Sequence, residues 1–139
     1  MNKEFCTYEQ ALTLKELGFH EPCFGYWKMS TWLIEEKTRT DGYTHADQIC
    51  SAPLYQQAFR WFREKYQLFQ EIQIDQTSNP KFCFKIIKFV GNPINLSEKE
   101  WYWEEVKVVD WFLYRTYEET EQACLDKLIE IIKNKIKYE

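Results

Sequence analysis

Apolar residues between 52 and 66 recur at helical spacing. Leu54, Ala58, Trp61 and Phe62 fall on one line, with Tyr55, Phe59 and Tyr66 beside it. Pro53 suits a first helical position, where its missing N–H has no partner to lose. The aromatic load exceeds one stripe, so the pattern predicts a helix that touches other elements on more than one side.

Beyond Leu68 the period changes to two. Glu71-Ile72-Gln73-Ile74 alternates, and Phe82, Phe84 and Ile86 alternate with Cys83, Lys85 and Ile87, so both stretches read as strands. Asp75 to Pro80 is a turn cluster, and Gly91-Asn92-Pro93 ends the second strand. Val106 to Tyr114 is β-rich and is expected to pair with it. Ser97 to Trp103 fits either a capped helical turn or a strand. Thr116-Tyr117-Glu118-Glu119 then opens a last helix with a capping box, and Cys124, Leu125, Leu128, Ile131 and Ile132 make its buried stripe. Acidic residues at its start and Lys133, Lys135 and Lys137 at its end both suit the helix macrodipole.

The N-terminal third is built from shorter pieces. Thr7 with Gln10 is a capping box, Ala11, Leu14 and Leu17 follow as an apolar line, and Gly18 supplies a helix stop. Phe19 to Pro22 reads as a turn. Phe24 to Trp27 and Thr31 to Ile34 read as short strands of a hairpin around Lys28-Met29-Ser30. Glu35 to Gln48 is polar, with an Asp41-Gly42 turn signal, and is expected as an exposed loop.

The expected fold is α+β and two-layered: an antiparallel sheet of three or slightly more strands with helices on one face. Residues 1–139 are expected to form one domain. Residues 1–51 give the first helix, hairpin and loop, and 52–139 a helix-strand-strand-strand-helix unit.

Composition narrows the function classes. A hydrophobic content of 45% and an aromatic content of 18% exclude wholesale disorder. A net charge of −4 weighs against a general nucleic-acid binder, whose affinity comes mainly from neutralising phosphates. No apolar run approaches the ~20 residues of a spanning helix, and Met1-Asn2-Lys3-Glu4 lacks a signal-peptide core. A cytoplasmic protein without a membrane partner is expected. Cys6, Cys23, Cys50, Cys83 and Cys124 are scattered without a C-x-x-C, and read as reduced, mostly buried thiols.

Little of the sequence is reactive. His20, Cys23, His45 and Cys50 could offer two nitrogens and two sulfurs to zinc, but in no standard spacing, so no metal or cofactor is expected. Adjacent carboxylates, Glu35-Glu36 and Glu104-Glu105, point to opposite faces of a strand and cannot converge on one atom. Four unclustered glycines make no phosphate loop. No catalytic residue is assigned. Arg60, Trp61 and Arg63, next to Lys65, with Lys81 and Lys85 on one strand face, suggest a ligand site that stacks a base and clamps a phosphate. The same pattern also fits Trp61 in the core with Arg63 solvated. Trp27, Trp32, Trp101 and Trp103 are the interface candidates, because tryptophan is enriched at binding hot spots.

Two resemblances extend this reading. The order helix-strand-strand-strand-helix resembles the double-stranded-RNA-binding domain, and Thr116 to Leu128 looks like the start of its last helix. That likeness implies a nucleic-acid-binding module, but Glu118, Glu119 and Glu121 stand where that family places phosphate-gripping lysines. A second resemblance rests on ordered phrases across nearly the whole chain. They are Tyr8-Glu9-Gln10-Ala11, Leu14 to Phe19 with Glu21-Pro22, Ala52-Pro53-Leu54, Gln57-Ala58, Trp61 to Lys65, and Thr116 to Glu119 with Ala123 and Leu125. Together they resemble a family of small bacteriophage and prophage proteins without an established activity. That implies a cytosolic phage accessory protein. The expected function is therefore non-enzymatic: binding of a host protein or of a signalling nucleotide used in defence, by a chain that forms homo-oligomers. The alternative is the nucleic-acid-binding module without its usual basic contacts.

Overall fold

The computed structural model describes residues 3–40, 49–75, 81–90 and 102–138, with side chains described for 3–36, 49–75, 81–88 and 113–137. The elements run α1 (Tyr8–Glu16), β1 (Cys23–Met29), β2 (Trp32–Thr40), β3 (Cys50–Ser51), α2 (Tyr55–Tyr66), β4 (Leu68–Asp75), β5 (Lys81–Val90), β6 (Tyr102–Tyr114) and α3 (Tyr117–Tyr138). The class is α+β, with two antiparallel three-stranded sheets ordered β2-β1-β3 and β4-β5-β6. Among the described residues no helix is long and apolar enough to cross a membrane. Two compact units divide the chain, Met1–Ala58 with Ile132–Glu139, and Phe59–Ile131.

In the first unit, α1 is closed at both ends by local hydrogen bonds. The Gln10 N–H donates to Thr7 Oγ1 at 3.2 Å and the Thr7 N–H donates to Gln10 Oε1 at 3.1 Å, which completes the expected capping box. At the other end Gly18 takes φ 103, its N–H reaching Lys15 O at 3.1 Å and that of Phe19 reaching Leu14 O at 2.9 Å. This is a Schellman stop, and its usual apolar contact pair, Leu14 and Phe19, is buried.

The hairpin is longer than its apolar pattern. Glu35 to Thr40, expected as loop, continues β2, with Gly25 opposite Glu35 and Cys23 opposite Thr40. Ladder hydrogen bonds do not need apolar side chains, and an edge strand tolerates polar ones. The rest of that expected loop, 41–48, lies outside the described residues. Cys50 and Ser51 add a third strand beside Trp27 and Tyr26. Phe5, Ala11, Trp27, Cys50 and Ala52 form one buried cluster of its core, flanked by Tyr8, Phe24, Leu33 and Leu54. Gly25 lets Phe5 lie on the β1 backbone: a Cβ there would stand 2.8 Å from Phe5 Cε1 and 3.0 Å from Ile34 O.

Pro53 is not the first residue of α2. The N–H of Cys6 donates to Pro53 O at 2.9 Å, Phe5 bridges Leu54, and the N–H of Tyr55 donates to Glu4 O at 2.8 Å. This extended pairing holds the chain until Tyr55, where the helix starts. Long-range hydrogen bonding overrides the local preference of proline here.

In the second unit, the register of β4 and β5 sorts the side chains. Ile74 with Phe82, Ile72 with Phe84 and Gln70 with Ile86 share one face; Asp75 with Lys81, Gln73 with Cys83 and Glu71 with Lys85 share the other. Phe84 and Ile86 are buried, as are Phe62, Leu125 and Leu128. The Thr116 cap is present, with the Glu119 N–H donating to Thr116 Oγ1 at 3.1 Å. The reciprocal bond is shifted by one residue: Glu119 Oε2 accepts from the Arg115 N–H at 3.3 Å, and Thr120 Oγ1 donates to Thr116 O at 2.8 Å.

Gln67 ends α2 in the left-handed region, φ 58, with its N–H on Arg63 O at 3.0 Å. A side chain is strained there and glycine is not. Gln67→Gly is expected to stabilise the protein by about 0.5–1 kcal/mol, seen as a higher urea midpoint; an unchanged or lower midpoint would contradict the strain.

Candidate functional site

The basic-aromatic candidates on α2 do not form an open clamp. Trp61 is only 7% exposed. Its ring meets Phe62 edge-on at 5.1 Å and Tyr66 at 5.5 Å, and Lys65 Nζ sits 4.9 Å from its centroid. A planar ligand would have to displace these neighbours to stack on the ring. The Arg63 guanidinium is engaged by Gln70 Oε1 at 3.1 Å, and Arg60 is half-buried. Lys81 and Lys85 share a strand face as expected, each directly opposite a carboxylate, Asp75 and Glu71. Cross-strand pairing of opposite charges leaves that face nearly neutral, unlike a phosphate clamp.

The interface candidates separate. Trp27 lies in the first unit's core at 8% exposed, edge-on to Tyr8 at 6.1 Å, and among the described residues its Nε1 has no hydrogen-bond partner. Trp101 lies outside the described residues. Trp103 is in β6, opposite Phe89. Of the two candidates whose side chains are described, Trp32 is the one that reaches solvent, at 50% exposed.

Trp32 belongs to a small surface site at the hairpin tip. Ser30 and Thr31 make the turn, and Met29 faces Trp32 in register. Met29 is 54% exposed, so two large apolar side chains stand together at the tip. The ladder slips between Trp27 and Met29, which makes Lys28 the extra residue of a bulge. A bulge re-aims the side chain it carries. Lys28 Nζ lies 4.7 Å from the Trp32 centroid, a cation–π contact that orders the ring while half of Trp32 remains open. The sequence pattern predicts a turn at Lys28-Met29-Ser30 and assigns neither Lys28 nor Met29 to a site; in the structure both belong to β1 and the turn is Ser30-Thr31. The signal was available: an apolar residue beside a hairpin turn has few neighbours to bury it.

The histidine and cysteine positions do not converge. His20 is exposed, and Cys23 is fully buried with its thiol on Glu21 O at 3.3 Å. Cys50 is opposite Trp27, four residues along β1 from Cys23, a separation of about 13 Å. His45 lies outside the described residues. Among the described residues no group of three or more His, Cys, Asp or Glu is placed to hold a metal ion. All five cysteines are buried thiols outside any disulfide. Burial pushes the Cys50 thiol up to about 11 despite the nearby Lys15 charge, which keeps it protonated and a poor nucleophile at neutral pH.

No protein-family model matches the chain, and neither a curated protein nor a solved structure matches it.

Proposed function

We propose that this chain is a non-enzymatic binding protein of the phage-accessory kind, and that it grips a host protein through the tip of the β1–β2 hairpin. The observation that carries this reading is the exposed Met29–Trp32 pair with Lys28 braced over the indole. A rigid, half-open tryptophan beside a methionine is the composition of an interface hot spot. It loses little side-chain freedom on binding, because the lysine already orders it.

The nucleotide version of the reading has less behind it, since the Trp61 ring is covered and Lys81 and Lys85 face carboxylates. A duplex-RNA role is further disfavoured by the exposed Glu118 and Glu119 at the start of α3. We also infer that within the second unit α2 and α3 lie over the same sheet face. Two contacts support it: Arg63 of α2 bonds Gln70, and Tyr117 of α3 packs edge-on to Phe82, both partners belonging to the Ile72–Phe84 face.

The test is a comparison of baits in bacterial lysate. Wild-type protein is expected to retain a partner that Trp32→Ala and Met29→Ser each lose, at unchanged unfolding midpoints. Equal retention by wild type and both variants would overturn the tip as the binding site. A panel of nucleotides is expected to leave the melting temperature in place; a rise with one of them would favour the nucleotide reading instead.

A further inference from the structure

Helix α3 has an apolar stripe that is covered in its middle and bare at its ends. Cys124, Leu125, Leu128, Ile129 and Ile132 are each at most 7% exposed. Ile136, one turn further on the same stripe, is 56% exposed. At the other end Tyr117 is 42% exposed, its ring edge-on to Phe82 at 5.9 Å. Phe82 faces Ile74 across the β4–β5 ladder, and Ile74 is 57% exposed. Directly opposed side chains stand roughly 4.5–5.5 Å apart at Cβ, so Ile74, Phe82 and Tyr117 make one continuous apolar patch.

The two bare ends carry opposite charge. Along the helix beside Tyr117 stand the exposed Glu118 and Glu119 and the buried Glu121, with Arg115 just before them. Around Ile136 stand Lys133, Lys135 and Lys137, all exposed. The helix macrodipole accounts for the order of these signs. It does not account for the uncovered apolar side chains that each charged set surrounds. Single exposed apolar residues are ordinary, whereas a continuous patch with a charged rim marks a contact surface.

We propose that the chain self-associates through these ends. The basic C-terminal turns of α3 from a second copy seat Ile136 on the Ile74–Phe82–Tyr117 patch, with the lysines against Glu118 and Glu119. Each copy carries both halves of the contact, so a second copy of this chain is the occupant that the charge pattern fits. The contact is small, and its affinity belongs to the weak class, observable at protein concentrations on the order of 100 µM. Exposed charge pairs are screened by salt, so association weakens as ionic strength rises.

Light scattering after size exclusion, or sedimentation equilibrium, tests this with paired charge reversals. Wild type is expected above its monomer mass of 17.0 kDa. E118K/E119K is expected to run as a monomer, and so is K133E/K135E. An equimolar mixture of the two is expected to recover association, because each reversed end then meets its complement. Ile136→Ser, at an exposed position that cannot unfold the core, is expected to weaken association about tenfold. A monomeric wild type at that concentration would overturn the proposal. So would charge variants that associate like wild type, or a mixture no heavier than its components.

Discussion

Phe62→Ala is expected to lower stability by about 3–5 kcal/mol, a large part of the margin by which any small domain stays folded. Phe62 is 0% exposed, and two of its neighbours on α2 are rings in contact with it: Trp61 at 5.1 Å and Tyr66 at 5.9 Å between centroids. Truncation removes the transfer energy of the ring, opens a cavity, and deprives both neighbours of a partner worth about 0.5–1.5 kcal/mol beyond area. The measurement is urea unfolding followed by tryptophan fluorescence, with a lower midpoint at an unchanged slope. Should the alanine variant fail to fold, Phe62→Leu keeps most of the volume and is expected to cost about 1–2 kcal/mol. A loss under 1 kcal/mol for Phe62→Ala would show that the helix packs elsewhere.

The same helix explains what the sequence reveals and what it hides. Its aromatic excess foretold burial on more than one side, and the buried residues Tyr55, Gln57, Ala58, Phe59, Trp61 and Phe62 cover more than half its circumference. Periodicity therefore reads burial well. It reads availability badly: Trp61 has a binding residue's chemistry, yet Lys65 lies over its ring and Phe62 and Tyr66 pack against it. Local codes were equally legible, as the Thr7–Gln10 box and the Gly18 stop demonstrate. Features that depend on distant partners were not. β3 is two residues long, below any periodicity, and exists because β1 offers a free edge at Tyr26 and Trp27. β2 runs six residues past its apolar stretch, through Glu35–Thr40, because β1 pairs with it at Glu35 and again at Thr40 across a register slip. The candidate site shares that limit. Residue type singles out Trp32, and its place beside a hairpin turn points to exposure, but its lysine brace depends on a register slip that no composition could reveal.

Gln10→Ala carries the second large effect, about 2–4 kcal/mol, and it separates a buried polar network from simple capping. Gln10 is 3% exposed, and its Oε1 accepts twice: from the Thr7 N–H at 3.1 Å and from the Tyr55 hydroxyl at 2.9 Å. Truncation frees the first donor at the partly buried start of α1, a loss of about 1 kcal/mol. It strands the second in the interior, since Tyr55 is 4% exposed, and an unsatisfied buried donor costs roughly 1–3 kcal/mol. Alanine's better helix propensity returns a few tenths of a kcal/mol at most. Tyr55→Phe removes the donor and leaves Gln10 bonded to Thr7, so it is expected to cost only about 1 kcal/mol. Once Tyr55 is phenylalanine, Gln10→Ala has no hydroxyl left to strand. The double variant should therefore be more stable than the sum of the single losses predicts, by about 1 kcal/mol or more. Additive losses would mean that the hydroxyl is served by water in the folded protein. A Tyr55→Phe loss as large as that of Gln10→Ala would place the cost in the hydroxyl's own bonds and not in leaving it stranded.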